Sequence, residues 1–202
     1  MYPLSRRLGG LFALRRNLLM AVDATKIKLG PCKVTFDVGG SSPVVFEQTQ
    51  GGVTLTYEET TRDINVDQLG TSPADVIITG RQATIQVPLV EYDLTKLAKI
   101  IPGAVLVTDG TDSSKKRVDV SAAKVERLFQ YAKTVKLEPL DSSATANDTI
   151  TLHKAAAQTN LNYSYTYDGE LVTNVTFRAF EDSVKGLISF GDMTAVAAGG
   201  ED

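Results

Sequence analysis

Few side chains in this sequence are of the types that do chemistry, and their spacing does not favour a catalytic site. The chain has one histidine and one cysteine, His153 and Cys32. His153 falls in a predicted strand as the single candidate base for a histidine-based triad, so we expect a structural or surface role for it. We interpret Cys32 as a small buried hydrophobe, and a lone cysteine excludes an intramolecular disulfide. No cysteine and histidine cluster in the sequence has metal-ligand spacing.

Carboxylates are the other candidates for chemistry. Glu58, Glu59, Asp63 and Asp67 are close in sequence and could bind a divalent cation or form an acid/base pair. Charged side chains on a solvated segment more often serve solubility, so we do not favour either role. Residues 141–148 (DSSATAND) resemble a calcium loop but lack its central glycine and terminal glutamate. The sequence therefore predicts no enzyme activity, no metal and no cofactor.

Composition and charge indicate a mostly β protein with an acidic body. Thr, Val, Gly and Asp are frequent, which favours strands and turns. No apolar run reaches the ~18 residues of a membrane span. Residues 1–33 carry a net charge of +6 and residues 34–202 a net charge of −9, which together give −3. An acidic body is unsuited to wrapping nucleic acid, which requires Lys and Arg, but it would let DNA slide through a channel without adhering.

The N-terminal residues 1–19 are interpreted separately from the domain. They form a basic extension or arm in which Arg6-Arg7 resembles a twin-arginine signal, although Arg15-Arg16 interrupts the apolar region that such a signal needs. Three interpretations stay open: a leader that contributes little to the fold, an arm that docks on a neighbouring subunit, and a targeting signal. We expect residues 20–192 to form a single β domain and residues 193–202 a flexible tail.

The pattern of apolar residues predicts a β-barrel or sandwich with one or two short flanking helices and a long protruding arm. Residues 93–101 place apolar side chains on one helical face, which should pack on the sheet and plug one end of a barrel. Residues 122–131 could form a second helix. Residues 160–167 and 170–180 form the clearest predicted hairpin, joined by Asp168-Gly169. The other predicted strands are 33–37, 44–48, 52–57, 83–89, 104–108, 133–138, 149–153 and 186–190.

The arm is a long polar excursion between the strands predicted at 52–57 and 83–89. Excursions of this length inside a compact domain are usually functional or flexible, because short connections dominate. This one is acidic but carries Ile64, Val66 and Leu69 at spaced positions. Apolar side chains on a solvated arm indicate a surface that meets another protein.

The run GGVTLTYEETTRDINVDQLGTSPADVIITGRQATIQVPLVEYDLTKLAKIIPGA resembles the tail tube (major tail) proteins of tailed bacteriophages. In that family a strand leads into an arm with a V-D-Q-L-G-like segment, here Val66–Gly70. An I-x-x-G-x-x-A/V-x-x strand and an L-x-x-L helix closing on a Pro-Gly turn follow, here Ile77–Ala83 and Leu94–Gly103. Residues 148–192, ending in Phe190-Gly191-Asp192, are similar to the family's C-terminal strands. The resemblance covers roughly residues 30–192.

This resemblance implies a structural virion protein, made in the host cytoplasm, that assembles into six-subunit rings stacked as a hollow tail tube. Edge strands would pair between neighbouring subunits, and the arm would reach the next ring. The implied partners are further copies of the chain, a tape measure protein inside, tail terminator and tail-tip or baseplate proteins at the ends, and in some tails a sheath. DNA would pass the lumen without specific binding. The implied inter-ring residues are Arg62, Asp63, Ile64, Val66, Asp67, Gln68 and Leu69.

Interpretations of the chain as another class of protein stay open. The tube of a type VI secretion system or of a phage-like bacteriocin would share this architecture but carry protein. A carbohydrate-binding β-sandwich would group aromatic side chains on one exposed face, and Tyr163, Tyr165 and Tyr167 share a face of a predicted strand. A hydrolase with a carboxylate pair is the remaining alternative.

Overall fold

The computed structural model describes residues 30–122, 125–159, 161, 163, 165 and 167–196. The predicted extension at residues 1–19, residues 20–29 of the predicted domain and residues 197–202 of the predicted tail lie outside this range. The described chain is mostly β, as predicted. Its strands are β1 Cys32–Phe36, β2 Val44–Phe46, β3 Thr54–Asn65, β4 Pro73–Leu89, β5 Val105–Thr108, β6 Lys116–Asp119, β7 Lys133–Pro139, β8 Ile150–Thr159, β9 Thr173–Phe180 and β10 Ile188–Phe190.

Eight strands form one antiparallel sheet in the order β2-β1-β7-β8-β9-β4-β3, and β10 pairs with the first residues of β8. Strands β5 and β6 form a separate two-stranded sheet. The core lies on one face of the large sheet, where apolar side chains alternate with polar ones. At its centre the ring of Phe177 lies 5.3 Å from that of Phe36 and 6.4 Å from that of Phe46. The alternation of apolar and polar residues in β1, β4 and β9 therefore reflects the burial of one face of each strand.

The sheet curls, but its ladder of strands does not close into a barrel. Strands β2 and β3 are its two edges. Just beyond β2 the chain returns to the end of β4, where Thr49 and Leu89 form an isolated bridge. The backbone N–H of Gln50 donates to the Pro88 carbonyl at 3.1 Å, and that of Val90 donates to the Gln48 carbonyl at 3.3 Å. These bonds bring one end of the curled sheet close to its opposite edge.

One α-helix, α1 (Leu94–Ile100), flanks the sheet where the sequence predicts it. The carboxylate of Asp93 accepts a hydrogen bond from the Thr95 N–H at 2.7 Å and so caps the first turn. Ile100 is buried in the core, and the helix also packs against β5 and β6. Since the ladder is open, α1 flanks the sheet and does not plug a barrel.

The second predicted helix, at residues 122–131, is wrong for the residues that the structure describes. They contain only a short 3-10 helix, Leu128–Tyr131, and Ala123 and Lys124 lie outside the described residues. The predicted apolar face is not buried, since Val125 is fully exposed. An isolated helix of this length is marginal in water, so without a buried face it does not form.

The predicted hairpin has a different first strand. Strand β9 pairs with residues 154–159 of β8, whereas the prediction placed its partner strand at residues 160–167. Of the latter range the structure describes Leu161, Tyr163, Tyr165 and Tyr167, and none of these four lies in a strand. The second half of β8 could not be recognised from the sequence, because residues 155–157 are three successive alanines. They are buried on both faces of the sheet and so show no alternation.

Candidate functional site: the β-hairpin arm

Strands β3 and β4 continue beyond the body of the sheet as a two-stranded arm. Their pairing runs from Tyr57–Ala83 out to Asn65–Pro73. With a rise of about 3.3 Å per residue, the arm is roughly 30 Å long. A short 3-10 helix, Asp67–Leu69, forms its tip, and Gly70 follows with a φ of 62° that favours glycine. Every residue from 56 to 82 is exposed.

The excursion predicted as a polar loop is therefore mostly paired strand. Only residues 66–72, at the tip, connect the two strands. Water on both faces removes the in-and-out alternation by which a strand is recognised in sequence. Threonine and isoleucine nevertheless favour an extended backbone, and pairing between the two strands satisfies the backbone hydrogen-bonding groups.

Polar cross-strand contacts fix the register at the base of the arm. The Glu59 carboxylate accepts hydrogen bonds from Arg81 Nε at 3.0 Å and from the Tyr57 hydroxyl at 2.7 Å. These hydrogen bonds, that of Tyr57 foremost, lower the pKa of Glu59. On the opposite face Gln82 Nε2 donates to the Glu58 carboxylate at 2.5 Å. Glu58 and Glu59 thus point to opposite faces of β3 and do not converge as an acid/base pair.

A β-bulge separates this polar base from the outer part of the arm. Thr60 pairs with Gly80, but Thr61 pairs with Ile78, so Thr79 is an additional residue in β4. The Thr79 hydroxyl donates to the Thr60 carbonyl at 3.1 Å. Bulges bend a strand and increase its twist, so this bulge changes the direction of the arm beyond it. We call residues 61–78 the distal arm.

The distal arm exposes apolar side chains on both of its faces. In the paired register Ile64 and Ile77 share one face, and Val76 and Ile78 share the other. Isolated apolar residues are common on protein surfaces, but a contiguous group on a protruding element marks an interaction site. The side chains, with their exposed fractions, are Ile64 40%, Val66 38%, Leu69 51%, Val76 49%, Ile77 39% and Ile78 48%.

The structure brings the sequence-predicted site residues together on this distal arm. Arg62, Asp63 and Ile64 lie in the outer part of β3, and Val66, Asp67, Gln68 and Leu69 form the tip. In the described part of the chain, Arg62, Asp63 and Asp67 form no salt bridge with one another or with any other residue. The predicted set missed the returning strand, whose large exposed apolar residues are Val76, Ile77 and Ile78. Three successive β-branched apolar residues between Asp75 and Thr79 were the available signal.

His153 occupies a buried position between β8 and β10. It is 6% exposed, and its Nε2 lies 2.8 Å from the hydroxyl oxygen of Ser189. Burial, followed by the positive charge of Lys185, lowers the pKa of His153, and the charge of Asp182 opposes this. Asp182 is itself held by Lys154 at 3.0 Å. The His153–Ser189 contact joins two paired strands, so its evident role is structural.

The tyrosines of the predicted aromatic stripe do not share an environment. Tyr163 packs edge-on against Tyr92 with ring centroids 6.2 Å apart, and its hydroxyl is buried without a hydrogen-bond partner. Tyr165 and Tyr167 are 83% and 103% exposed. One ring is thus turned into the protein while the other two face solvent. These three residues do not form the flat aromatic surface that glycan stacking requires.

The remaining candidates for chemistry are separate from one another. Cys32 is partly buried, which raises its pKa and disfavours the reactive thiolate. In the predicted calcium-like loop, Thr145 and Asp148 form a capping box. Within the described ranges no group of three or more His, Cys, Asp or Glu side chains is placed to hold a metal.

No family model matches the sequence, and no curated protein matches it. None of the helices in the described part of the chain is long and apolar enough to cross a membrane. The candidate site accordingly rests on the geometry of the arm itself.

Proposed function

We propose that this chain is a structural subunit that assembles with copies of itself into six-subunit rings, stacked as the hollow tail tube of a bacteriophage. The arm makes the contact between rings. The observation that carries the proposal is the exposure of six apolar side chains on an element that projects roughly 30 Å from the body. Exposing these apolar side chains to water does not stabilise the monomer, whereas burying them against a neighbouring subunit would stabilise the assembly.

The energy available from covering the distal arm is substantial. Each of the six side chains exposes about two fifths to one half of its surface. At ~25 cal/mol per Å² of apolar surface, burying one of them contributes on the order of 1–2 kcal/mol. Since the contact repeats in every subunit of a ring, a modest contribution per arm supports a stable stack.

The open edges of the sheet support the lateral contacts within a ring. Strands β2 and β3 each leave one row of backbone groups unpaired in the described ladder. Such edges pair readily with strands of other chains, and neighbouring copies would complete the sheet as a continuous barrel. An arm that contacts a different surface of the next subunit is a heterologous contact, which does not close and so generates a filament.

The polar face of the sheet suits the wall of a channel. Opposite the core, most side chains of β3, β4, β8 and β9 carry hydroxyl or amide groups: Thr54, Thr56, Gln82, Thr84, Gln86, Gln158, Asn174 and Thr176. The charged exceptions are Glu58, Arg178 and Lys154, of which Lys154 is paired with Asp182 at 3.0 Å. A largely neutral wall holds neither DNA nor protein by charge. DNA would thus pass without specific binding, and a tape measure protein would occupy the lumen before ejection.

The same neutral wall favours a second candidate, the tube of a type VI secretion system or of a phage-like bacteriocin. The sequence predicts an acidic channel that repels DNA, and the polar face of this sheet is not acidic. A protein cargo is therefore also compatible with it. The two candidates share the subunit assembly and differ in cargo.

The assembly is tested by electron microscopy of the arm variant Ile64→Asp/Val66→Asp/Leu69→Asp beside the unaltered chain. We expect the unaltered chain to form tubes of uniform diameter and the variant to stay as folded subunits or single rings. The matched control, Thr111→Asp/Ser113→Asp/Ser183→Asp, adds the same charge at exposed positions outside the arm and should assemble normally. Long tubes from a folded arm variant would show that the arm is not the contact between rings.

A further inference from the structure

A groove that nothing above assigns lies at the foot of the arm, between the outer end of β9 and the 3-10 helix Leu128–Tyr131. It has a volume of about 560 Å³. Its described lining combines three arginines from three separate segments with an apolar floor. The residues that matter here are Arg81, Arg127, Arg178, Phe129, Phe180 and Leu187.

The apolar floor is built by packing between the 3-10 helix and the sheet. The ring of Phe129 packs edge-on against that of Phe180, with centroids 5.7 Å apart. Lys154 Nζ lies 5.3 Å from the centre of the Phe129 ring and is itself paired with Asp182 at 3.0 Å. The floor is therefore held in place by contacts of its own, and Phe129 is still 51% exposed.

The groove carries a positive charge that the subunit does not neutralise. Arg127 and Arg178 form no salt bridge and no side-chain hydrogen bond in the described part of the chain, and only Arg81 is paired, with Glu59. Glu181 is the one acidic residue in the described lining. Because Glu59 neutralises Arg81, the two unpaired arginines and Glu181 leave a net charge of +1.

The distal arm has the complementary character. It carries Asp63, Asp67 and Asp75 against Arg62, a net charge of −2, beside its six exposed apolar side chains. An acidic, apolar hairpin thus matches a basic groove with an aromatic floor in both charge and hydrophobicity.

We propose that this groove receives the distal arm of a neighbouring copy, an inference that rests on the proposed function of the arm. Asp63 and Asp67 pair with Arg127 and Arg178, and apolar side chains of the arm cover Phe129. The arm is roughly 30 Å long and the groove lies at its foot. In one subunit the distal arm and the groove are therefore far apart, so each can contact a different neighbour. A head-to-tail contact of this kind leaves one arm and one groove free at the ends and so propagates.

Charge reversal tests the pairing. The groove variant Arg127→Glu/Arg178→Glu and the arm variant Asp63→Arg/Asp67→Arg should each raise the protein concentration needed for assembly at least tenfold. Both substitutions in one chain should restore assembly, because every contact then has reversed charges on both sides. Lys115→Glu/Lys116→Glu on the β5–β6 hairpin is the matched control and should assemble normally. Circular dichroism and gel filtration confirm that each variant is folded.

The outcomes separate this inference from the proposed function. A groove variant that assembles like the unaltered chain, while Ile64→Asp/Val66→Asp/Leu69→Asp does not, overturns the groove assignment and leaves the proposed function standing. Two defective single-side variants whose folded combination is also defective overturn the pairing, and the groove is then a site for some other anion. Tubes from all variants, the apolar arm variant included, overturn both.

Discussion

Strand β4 runs from the core of the sheet into the distal arm, and these two regions differ in what covers them. In β4, residues from Ala83 to Leu89 alternate between a buried and a more open face, whereas residues 73–82 are exposed throughout. In β3 only Leu55 is half-buried, and the strand is exposed from Thr56 outward. Backbone pairing continues through both regions, so hydrogen bonding alone does not distinguish them. The difference lies in burial.

This difference shows where the stability of the subunit comes from. Cross-strand pairs contribute only ~0.2–1 kcal/mol each, and an isolated hairpin is marginal in water. The arm therefore holds its shape because it continues strands that are anchored in the core, and it should open locally far more often than the body. A neighbouring copy would supply the burial that the arm lacks.

The largest expected contrast is between truncations in the two regions. Phe177→Ala should lower the free energy of unfolding by about 3–5 kcal/mol, because it removes a fully buried ring from the centre of the core. Ile77→Ala, on the arm, should change that free energy by no more than about 0.5 kcal/mol in the monomer. Urea denaturation of both variants under conditions that prevent assembly measures the contrast. Equal losses would show that the arm packs against the subunit's own body in solution.

The sequence predicted those parts of the fold in which one face is buried. Alternation located β1, the inner part of β4 and β7, and helical periodicity located α1, because a single buried face leaves a periodic trace. It found only the first residues of β8, at 149–153, because the Ala155–Ala157 run that follows is buried on both faces, and it missed the paired strands of the arm, which are buried on neither. For the same reason the sequence pointed to the outgoing strand and the tip of the candidate site but not to its returning strand. Ile64, Val66 and Leu69 stand out among polar neighbours, whereas Val76–Ile78 resembles an ordinary core strand.

A smaller effect is expected from His153, within the core region. Its pKa is lowered in the folded chain, so on acidification the unfolded chain takes up this proton first. The free energy of unfolding should therefore hold well above pH 6.5, the ordinary pKa of histidine, and fall as the pH drops from there towards the folded pKa. His153→Gln should remove this component. The measurement is the difference between the two unfolding free energies across that range, which cancels the contributions of carboxylates.

The sign of that difference decides whether His153 is buried as described. Since the chain has one histidine, proton NMR follows its titration without assignment. A folded-state pKa at or above 6.5, or an unaltered-minus-variant difference in unfolding free energy that does not rise with pH across this range, would contradict a buried neutral imidazole beside Ser189.

The smallest effect is expected at the base of the arm. Glu59 and Arg81 are bonded at 3.0 Å, but both are exposed, so water and salt screen their attraction. A double-mutant cycle with Glu59→Gln and Arg81→Gln should give a coupling near the limit of detection that vanishes at high salt. A large coupling, insensitive to salt, would mean that the base of the arm is covered in the monomer.

Hydrogen–deuterium exchange of the monomer and of the assembled protein tests the central claim, that the distal arm is the surface completed by another copy. The account predicts fast exchange of amides in residues 61–78 in the monomer and strong protection after assembly, with β1, β8 and β9 protected in both states. Assembled protein in which the distal arm still exchanges as fast as in the monomer would contradict the account.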